Sequence, residues 1–200
     1  MIQYTHRLAM TLVATAMLTL PATADRIPLD ELSRYLNGLE TAQTDFTQVN
    51  ADGSVSTGTL YIHRPGRVRF EYDPPDAGLV LAAGGTVAIF DPKSNQGPSQ
   101  YPLRQTPLNL ILARDVDLTR ERMVIAHESD DTSTSVVAQD PENPDQGNIR
   151  LVFTDNPTEL RQWVITDDTG QQTTVILQEL NTDVSLGHSL FSIQQNLRNR

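Results

Sequence analysis

The sequence changes its pattern near residue 44, and this change restricts the fold more than any other feature. Before it lies one amphipathic segment. After it, short stretches rich in Val, Ile, Thr and aromatic residues alternate with turn signals such as Asp52-Gly53 and Gly84-Gly85. The turns are about 8–20 residues apart, which favours hairpins over the crossover units of a parallel sheet. The chain is therefore predicted to form a strongly curved antiparallel sheet with few helices.

The segment before residue 44 is predicted to be an amphipathic helix that begins near Pro28. Proline suits a first helical turn, and Asp30 and Glu31 lie near the positive end of the helix dipole. The apolar residues fall on one stripe at helical spacing: Leu29, Leu32, Tyr35, Leu36 and Leu39. This stripe must cover an apolar surface elsewhere in the chain.

A second, shorter helix is predicted over residues 106–114. Thr106 is expected to be its N-cap and Pro107 its first helical residue. Leu108, Ile111 and Leu112 share one face, so this helix is also expected to cover part of the sheet.

Residues 1–24 have the pattern of an export signal. They hold no acidic residue; Arg7 precedes an apolar run at residues 8–20, and a small-x-small site, Ala22-Thr23-Ala24, follows. This order is typical of a cleaved secretory signal, and an uncleaved anchor helix is the alternative, although the run is short for spanning a bilayer. The mature chain would then be residues 25–200, which we expect to form a single domain in the bacterial periplasm.

The composition argues against several classes of protein. With 15 basic and 25 acidic side chains and a formal net charge of −10, the chain is a poor binder of nucleic acid, because phosphate contacts need clustered Lys and Arg. The sequence has no cysteine, which excludes a disulfide scaffold, a thiol nucleophile and lipid attachment at an N-terminal cysteine. An exported chain without cysteine suits the periplasm, which offers no ATP or NADH, and we expect no cofactor.

Patterns for catalysis and metal binding are weak. His63, His127 and His188 lie far apart in the sequence and include no His-x-x-x-His pair. The sequence also has no Gly-x-Ser-x-Gly elbow and no phosphate-binding glycine loop. We therefore expect no catalytic residue and no bound metal.

Two acidic clusters each allow two interpretations. The first cluster, in the polar loop at residues 140–145, could hold calcium, but it lacks the ordered spacing of a calcium loop, and a solvated loop is the alternative. The second cluster, at residues 71–76, could supply the general acid and base for hydrolysis of glycosides, or it could form a solvated rim at a strand end. The members are Asp140, Glu142 and Asp145 in the first cluster and Glu71, Asp73 and Asp76 in the second.

The hairpin at residues 58–75 is the most informative segment, because its register decides which side chains face inward. A two-residue loop, Pro65-Gly66, would put Tyr61 and His63 on the inner face. A three-residue loop over residues 65–67 leaves both outside and is preferred, because it buries more apolar surface. The inner face then holds Leu60, Ile62, Val68, Phe70 and Tyr72, with Arg64 at its edge.

A series of short motifs runs along the chain. In order, they are Phe46-Thr47-Gln48, Gly58-Thr59-Leu60, Arg64-Pro65, Arg69-Phe70-Glu71-Tyr72, Pro75, Gly84-Gly85, Phe90-Asp91-Pro92, Thr106-Pro107-Leu108, Leu160 to Trp163, Asp168 to Gly170, and Phe191. None is specific alone, because each is only a few residues long. In the order and spacing of these motifs the chain resembles the LolA family, periplasmic carriers for outer-membrane lipoproteins, over about residues 29–193.

The resemblance implies a mainly β fold with some α: an incomplete, unclosed antiparallel β-barrel with a helical lid around a hydrophobic cavity. It implies transfer of lipoproteins, bound by their acyl chains, from an inner-membrane ABC transporter complex to the outer membrane, where a receptor would accept them. Arg64 matches the family arginine that bonds to the lid and holds the empty cavity shut. We expect a monomer without enzymatic activity.

The expected acyl-chain cavity is lined by strand residues and by the second helix, and the first helix forms the rest of the lid. An ordinary sheet core capped by two helices, with Arg64 as a surface turn residue, is one alternative. A module for another lipid, a glycolipid or a stress-signalling lipoprotein is a second, and a hydrolase using the carboxylates at residues 71–76 is a third. The cavity residues are Leu60, Ile62, Val68, Phe70, Tyr72, Ile89, Leu108, Ile111, Leu112 and Trp163, and the lid residues are Leu32, Leu36 and Leu39.

Overall fold

Antiparallel strands dominate the structure, a computed structural model that describes residues 26–94 and 96–198. The strands are β1 (Thr41–Val49), β2 (Val55–His63), β3 (Arg67–Tyr72), β4 (Leu79–Ala83), β5 (Thr86–Phe90), β6 (Ser99–Pro102), β7 (Val124–Ser129), β8 (Thr134–Gln139), β9 (Asn148–Thr154), β10 (Glu159–Thr166) and β11 (Gln172–Leu177). The α-helices are α1 (Leu29–Gly38), α2 (Leu108–Leu112) and α3 (Ile193–Arg198), and short 3-10 helices lie at Leu103–Gln105, Pro144–Gln146 and His188–Phe191. The predicted export signal, residues 1–24, lies outside the described residues.

The strands form one sheet in the order β6-β5-β4-β3-β2-β1-β11-β10-β9-β8-β7. Within each half of the chain, β1–β6 and β7–β11, strands that are consecutive in sequence lie side by side. The antiparallel β1–β11 pair joins the two halves. Such a meander needs only turns or loops between neighbouring strands, and the prediction of antiparallel hairpins is confirmed.

The sheet is curled rather than flat. Phe70 on β3 and Trp163 on β10 have ring centroids 6.2 Å apart, although β2, β1 and β11 lie between their strands. In a flat sheet, four steps of about 4.8 Å would separate the two strands by roughly 19 Å. One face of the sheet is therefore concave. The predicted unclosed antiparallel barrel is confirmed, with β6 and β7 as its edges.

Helices α1 and α2 lie on the concave side. One buried apolar cluster contains Leu32 and Leu36 of α1, Ile111 of α2, and inward side chains from both halves of the sheet, such as Leu60 and Leu151. The apolar stripe of α1 explains this position, because removing apolar surface from water contributes about 25 cal/mol per Å². Each helix within the described residues is too short or too polar to cross a membrane.

Helix α2 is shorter than the predicted span of 106–114, and Thr106 does not cap it. The Thr106 hydroxyl donates instead to the Leu103 carbonyl oxygen at 2.8 Å, and Pro107 is the residue that precedes the helix. The prediction of this cap was wrong because a local 3-10 turn competes for the same hydroxyl. The predicted apolar face of the helix is buried.

The β2–β3 hairpin has the predicted inner face but a different loop. Leu60 pairs with Phe70, whereas a loop over residues 65–67 would have paired it with Tyr72. The strands leave Arg64-Pro65-Gly66 as the loop, one residue earlier. Moving a three-residue loop by one position changes the partner of each β2 residue by two positions on β3. Because side chains alternate between the two faces of a strand, a change of two positions leaves the same side chains facing inward.

Residues 186–193, which we call the C-terminal segment, cover the outer, convex face of strands β2–β5. Phe191 lies in a second buried cluster with Leu81 and Phe90. The Arg69 guanidinium, on the same outer face, donates to the Leu190 carbonyl oxygen at 3.0 Å and pairs with Glu71. The chain's own C-terminal segment therefore covers the convex face of these four strands.

Candidate functional site

Arg64 lies at the junction of the sheet and both helices. It is in the loop between β2 and β3, and only 8% of its surface is exposed. Its Nη2 atom donates to the Ala113 carbonyl oxygen at 2.6 Å and to Asn37 Oδ1 at 3.2 Å. Asn37 belongs to α1 and Ala113 follows α2 directly, so one guanidinium joins both helices to the hairpin.

The main chain of the hairpin strengthens this junction. The Arg64 amide donates to the Glu40 carbonyl oxygen just after α1, and the Gly66 amide donates to the Leu112 carbonyl oxygen at the end of α2, both at 2.8 Å. The chain after α2 is also tied to α1. Asn37 Oδ1 accepts the Val116 amide at 2.9 Å, and its Nδ2 donates to the Val116 carbonyl oxygen at 2.9 Å.

The guanidinium of Arg64 is incompletely paired. Its Nε and Nη1 atoms are buried and have no hydrogen-bond partner among the described residues. Burial lowers the pKa of Arg64, and the nearby charge of Asp115 partly opposes this shift. The contacts through Nη2 therefore stabilise the junction, while the buried unpaired donors offset part of that gain.

An aromatic group lines the concave face below the junction. Phe46 makes edge-to-face contacts with Phe70 and Tyr72, at centroid distances of 5.4 and 5.3 Å, and Phe70 contacts Trp163 in the same way at 6.2 Å. The Tyr72 hydroxyl donates to Gln48 Oε1 at 2.8 Å. Burial raises the pKa of Tyr72 to about 12.

Nearly all the predicted cavity and lid residues lie in the concave cluster, and Tyr72 packs against it half-buried. Ile89 is the exception, because 40% of its surface is exposed. It shares a face with Val87, but its partner on the edge strand is the exposed Ser99. Val87 takes the buried position that the prediction gave to Ile89. The buried members are Leu60, Ile62, Val68, Phe70, Leu108, Ile111, Leu112 and Trp163 with Leu32, Leu36 and Leu39.

A cleft of about 620 Å³, which we call the mouth cleft, opens beside α2. Its apolar lining includes Val87, Tyr101, Leu108 and Ile165, and its acidic lining consists of Asp145, Asp167 and Asp168. The volume lies within the range of about 300–1,000 Å³ that is typical of ligand sites. Leu108 belongs both to the cleft and to the concave cluster, so the two adjoin at α2.

The members of the two acidic clusters make local contacts in the described chain. No group of three His, Asp or Glu side chains among the described residues is arranged to hold a metal ion. Each member of the 71–76 cluster has its own separate partner: Arg69 for Glu71, Thr57 Oγ1 for Asp73 at 2.7 Å and Ser56 Oγ for Asp76 at 2.7 Å. Asp140 accepts hydrogen bonds from the Glu142 amide and from Asn143 Nδ2 in a local turn.

Comparison with known proteins identifies related sequences. The family described as "Outer membrane lipoprotein carrier protein LolA" matches residues 37–194. Proteins named outer-membrane lipoprotein carrier protein include one from Azotobacter vinelandii, 28% identical over 193 residues, covering 92% of this chain and 91% of the relative. One from Chromohalobacter salexigens is 26% identical over 197 residues, covering 94% and 93%. A crystal structure of a LolA superfamily protein from Nitrosomonas europaea matches with a TM-score of 0.47 at 10% identity, covering 84% of this chain and 98% of that chain.

Proposed function

The chain belongs to the LolA family of outer membrane lipoprotein carrier proteins, and on that premise we propose that residues 25–200 form a single domain that carries lipoproteins through the periplasm. The acyl chains of the lipoprotein would lie against the concave face, between the sheet and helices α1 and α2. The apolar and aromatic side chains of that face supply the surface that such chains require.

The proposed cargo sets an energetic requirement. Burying an acyl chain contributes about 0.8 kcal/mol per CH₂, so roughly 15 methylenes give on the order of 12 kcal/mol. A carrier that kept this whole gain would not release its cargo. A carrier whose helices close onto the sheet when it is empty avoids this, because the ligand gains only the difference between the two states.

The observation that carries the proposal is the position of Arg64. Its guanidinium joins α1 to the segment after α2 above an apolar concave face. This side chain therefore contributes to holding both helices against the sheet, together with the main-chain hydrogen bonds of the same loop. Two of its donor nitrogens are buried and unpaired, which offsets part of the stabilisation that its contacts give to the closed arrangement.

The proposed partners are an inner-membrane ABC transporter complex that delivers the lipoprotein and an outer-membrane receptor that accepts it. The net charge of −10 opposes direct docking on anionic lipid surfaces. The three aspartates of the mouth cleft suit partner proteins with basic patches, which would make transfer sensitive to salt. We propose that the carrier acts as a monomer.

Two experiments test the carrier function. Native mass spectrometry of the protein taken from its own periplasm should show a bound lipoprotein, and depletion of the protein should leave lipoproteins in the inner membrane. A bound phospholipid or glycolipid would instead favour the second candidate, a module for another lipid. That candidate remains because walls of Leu, Ile, Val and Phe do not discriminate between acyl chains.

A further inference from the structure

Trp163 carries a buried hydrogen-bond donor with no acceptor. The side chain is 0% exposed, and its Nε1 atom has no partner among the described residues. A buried indole N–H usually finds a partner, because leaving it unpaired forfeits its hydration without replacement. Trp163 is also the only tryptophan in the sequence.

The donor lies inside the concave cluster, among apolar side chains. Trp163 pairs with Val175 and Leu151 on the neighbouring strands, and its ring reaches across the curled sheet to Phe70. The other described side chains with buried unpaired donors are cationic or lie on the convex face: Arg64 at the lid, and Arg69 and His63 beside the C-terminal segment. Trp163 is therefore the neutral unpaired donor of the concave face.

A hydrocarbon chain cannot accept this hydrogen bond, but the carbonyl group at the head of an acyl chain can. An ester fits better than an amide, because an ester has acceptor oxygens and no donor of its own. An amide would bring a second N–H into apolar surroundings and would leave it unpaired. The site offers one neutral donor, and the carbonyl oxygen of an acyl ester can accept its hydrogen bond without adding a second donor.

We propose that the Trp163 indole N–H binds the carbonyl oxygen of a fatty-acyl ester when the lid helices open and cargo enters. This inference rests on the proposed carrier function and names the chemical class of the bound group. The hydrogen bond fixes the depth of the acyl chains along the concave face. It also makes the site prefer acyl esters over alkyl chains of the same length.

The test compares two lipopeptides that differ only in the linkage of their two glycerol-bound chains, ester in one and ether in the other. The wild-type protein should bind the ester form about tenfold more tightly. In Trp163→Phe, which keeps an aromatic ring but lacks the donor, the two dissociation constants should agree within about twofold. Phe153 of β9 is another buried member of the concave cluster. In the control Phe153→Leu, which shrinks that cluster without removing a donor, the ester preference should persist.

A spectroscopic readout covers the case in which Trp163→Phe does not fold. In ¹⁵N-labelled wild-type protein the single indole N–H gives one signal, which should move downfield with the ester lipopeptide and not with the ether form. Equal ester preference in wild type and Trp163→Phe, or an indole signal that responds alike to both lipopeptides, would overturn the inference alone. Failure of the wild type to bind either lipopeptide would overturn the carrier function as well.

Discussion

Asn37 Oδ1 accepts hydrogen bonds from two sides, from Arg64 Nη2 at 3.2 Å and from the Val116 amide at 2.9 Å. The side-chain amide of one α1 residue thereby ties the β2–β3 loop to the chain that follows α2. Three parts of the molecule that are distant in sequence meet at this oxygen atom. Helix α1, the end of α2 and the β2–β3 loop thus belong to one hydrogen-bonded network.

Arg64→Leu should leave the protein folded and able to take up lipid but should slow its release. The variant loses the contacts that favour the closed arrangement, so the cargo no longer competes with them. A hydrogen bond to a charged group contributes roughly 1.5–3 kcal/mol, which corresponds to a release at least about tenfold slower. The measurement is the rate of lipopeptide transfer to an acceptor. Arg34→Leu is the matched control, because Arg34 is an exposed α1 residue that pairs with Asp30 on the same helix. Transfer at the wild-type rate in Arg64→Leu would disprove the proposed role of Arg64 in cargo release.

Asn37→Ala should loosen the chain after α2 at one point. The Val116 amide loses its acceptor, and its hydrogen exchange should become about tenfold faster. The Leu118 amide donates instead to Ser33 Oγ at 2.9 Å, and its exchange should change little. Ser33→Ala should give the reverse pattern. Equal acceleration of both amides in both variants would mean that the segment opens as a whole and that neither side chain holds it locally.

The sequence predicted which face of the β2–β3 hairpin points inward, but it did not place the loop. A strand repeats every two residues, so the apolar set of Leu60 and Phe70 determines the face regardless of which three residues turn. The position of the loop depends on contacts with α1 and α2 that local patterns do not contain. The same holds for Thr106, whose hydroxyl is taken by a turn, and for Ile89, whose exposure depends on its neighbour in an edge strand.

The partners of Arg64 could not be predicted from the residues around it. Local sequence makes Arg64 a turn residue, and only the resemblance to a family suggested a contact with the lid. Asn37 has no motif of its own, since an asparagine on the polar side of an amphipathic helix is ordinary. The sequence also did not predict that Phe191 packs on the convex face, because a few apolar residues in a polar C-terminal segment give no periodic signal.

Gly58→Ala should destabilise the fold, because β2 and β3 approach each other closely at this residue. A Cβ atom at position 58 would overlap the Glu71 carbonyl oxygen, which belongs to the backbone and cannot rotate away. Overpacking of this kind costs about 1–3 kcal/mol or more. Gly38→Ala is the control, because a Cβ at the end of α1 has nothing within 4 Å and alanine favours a helix by about 0.5–1 kcal/mol. Urea unfolding of both variants should show opposite signs, and a neutral Gly58→Ala would contradict the close approach.

Stability should fall as the pH drops from about 7.5 to 5.5, and His63 should account for part of the fall. Its ring stacks on His188 at 5.8 Å and meets Phe191 edge-on at 5.7 Å. Burial lowers the pKa of His63, and the charges of Arg67 and His188 lower it further. Because the unfolded chain keeps a pKa near 6.5, it binds more protons than the folded chain below that pH, and the folded state loses stability there.

His63→Gln should therefore flatten the dependence of the melting temperature on pH between 7.5 and 5.5. Part of the slope should remain, because burial also lowers the pKa of His127 on β7. The double variant His63→Gln, His127→Gln should be flatter still, since unperturbed carboxylates titrate near pH 4 and contribute little in this window. Melting curves of the wild type and both variants at four pH values test this. Parallel slopes in all three proteins would show that the contact between β2 and the C-terminal segment does not respond to protonation of His63.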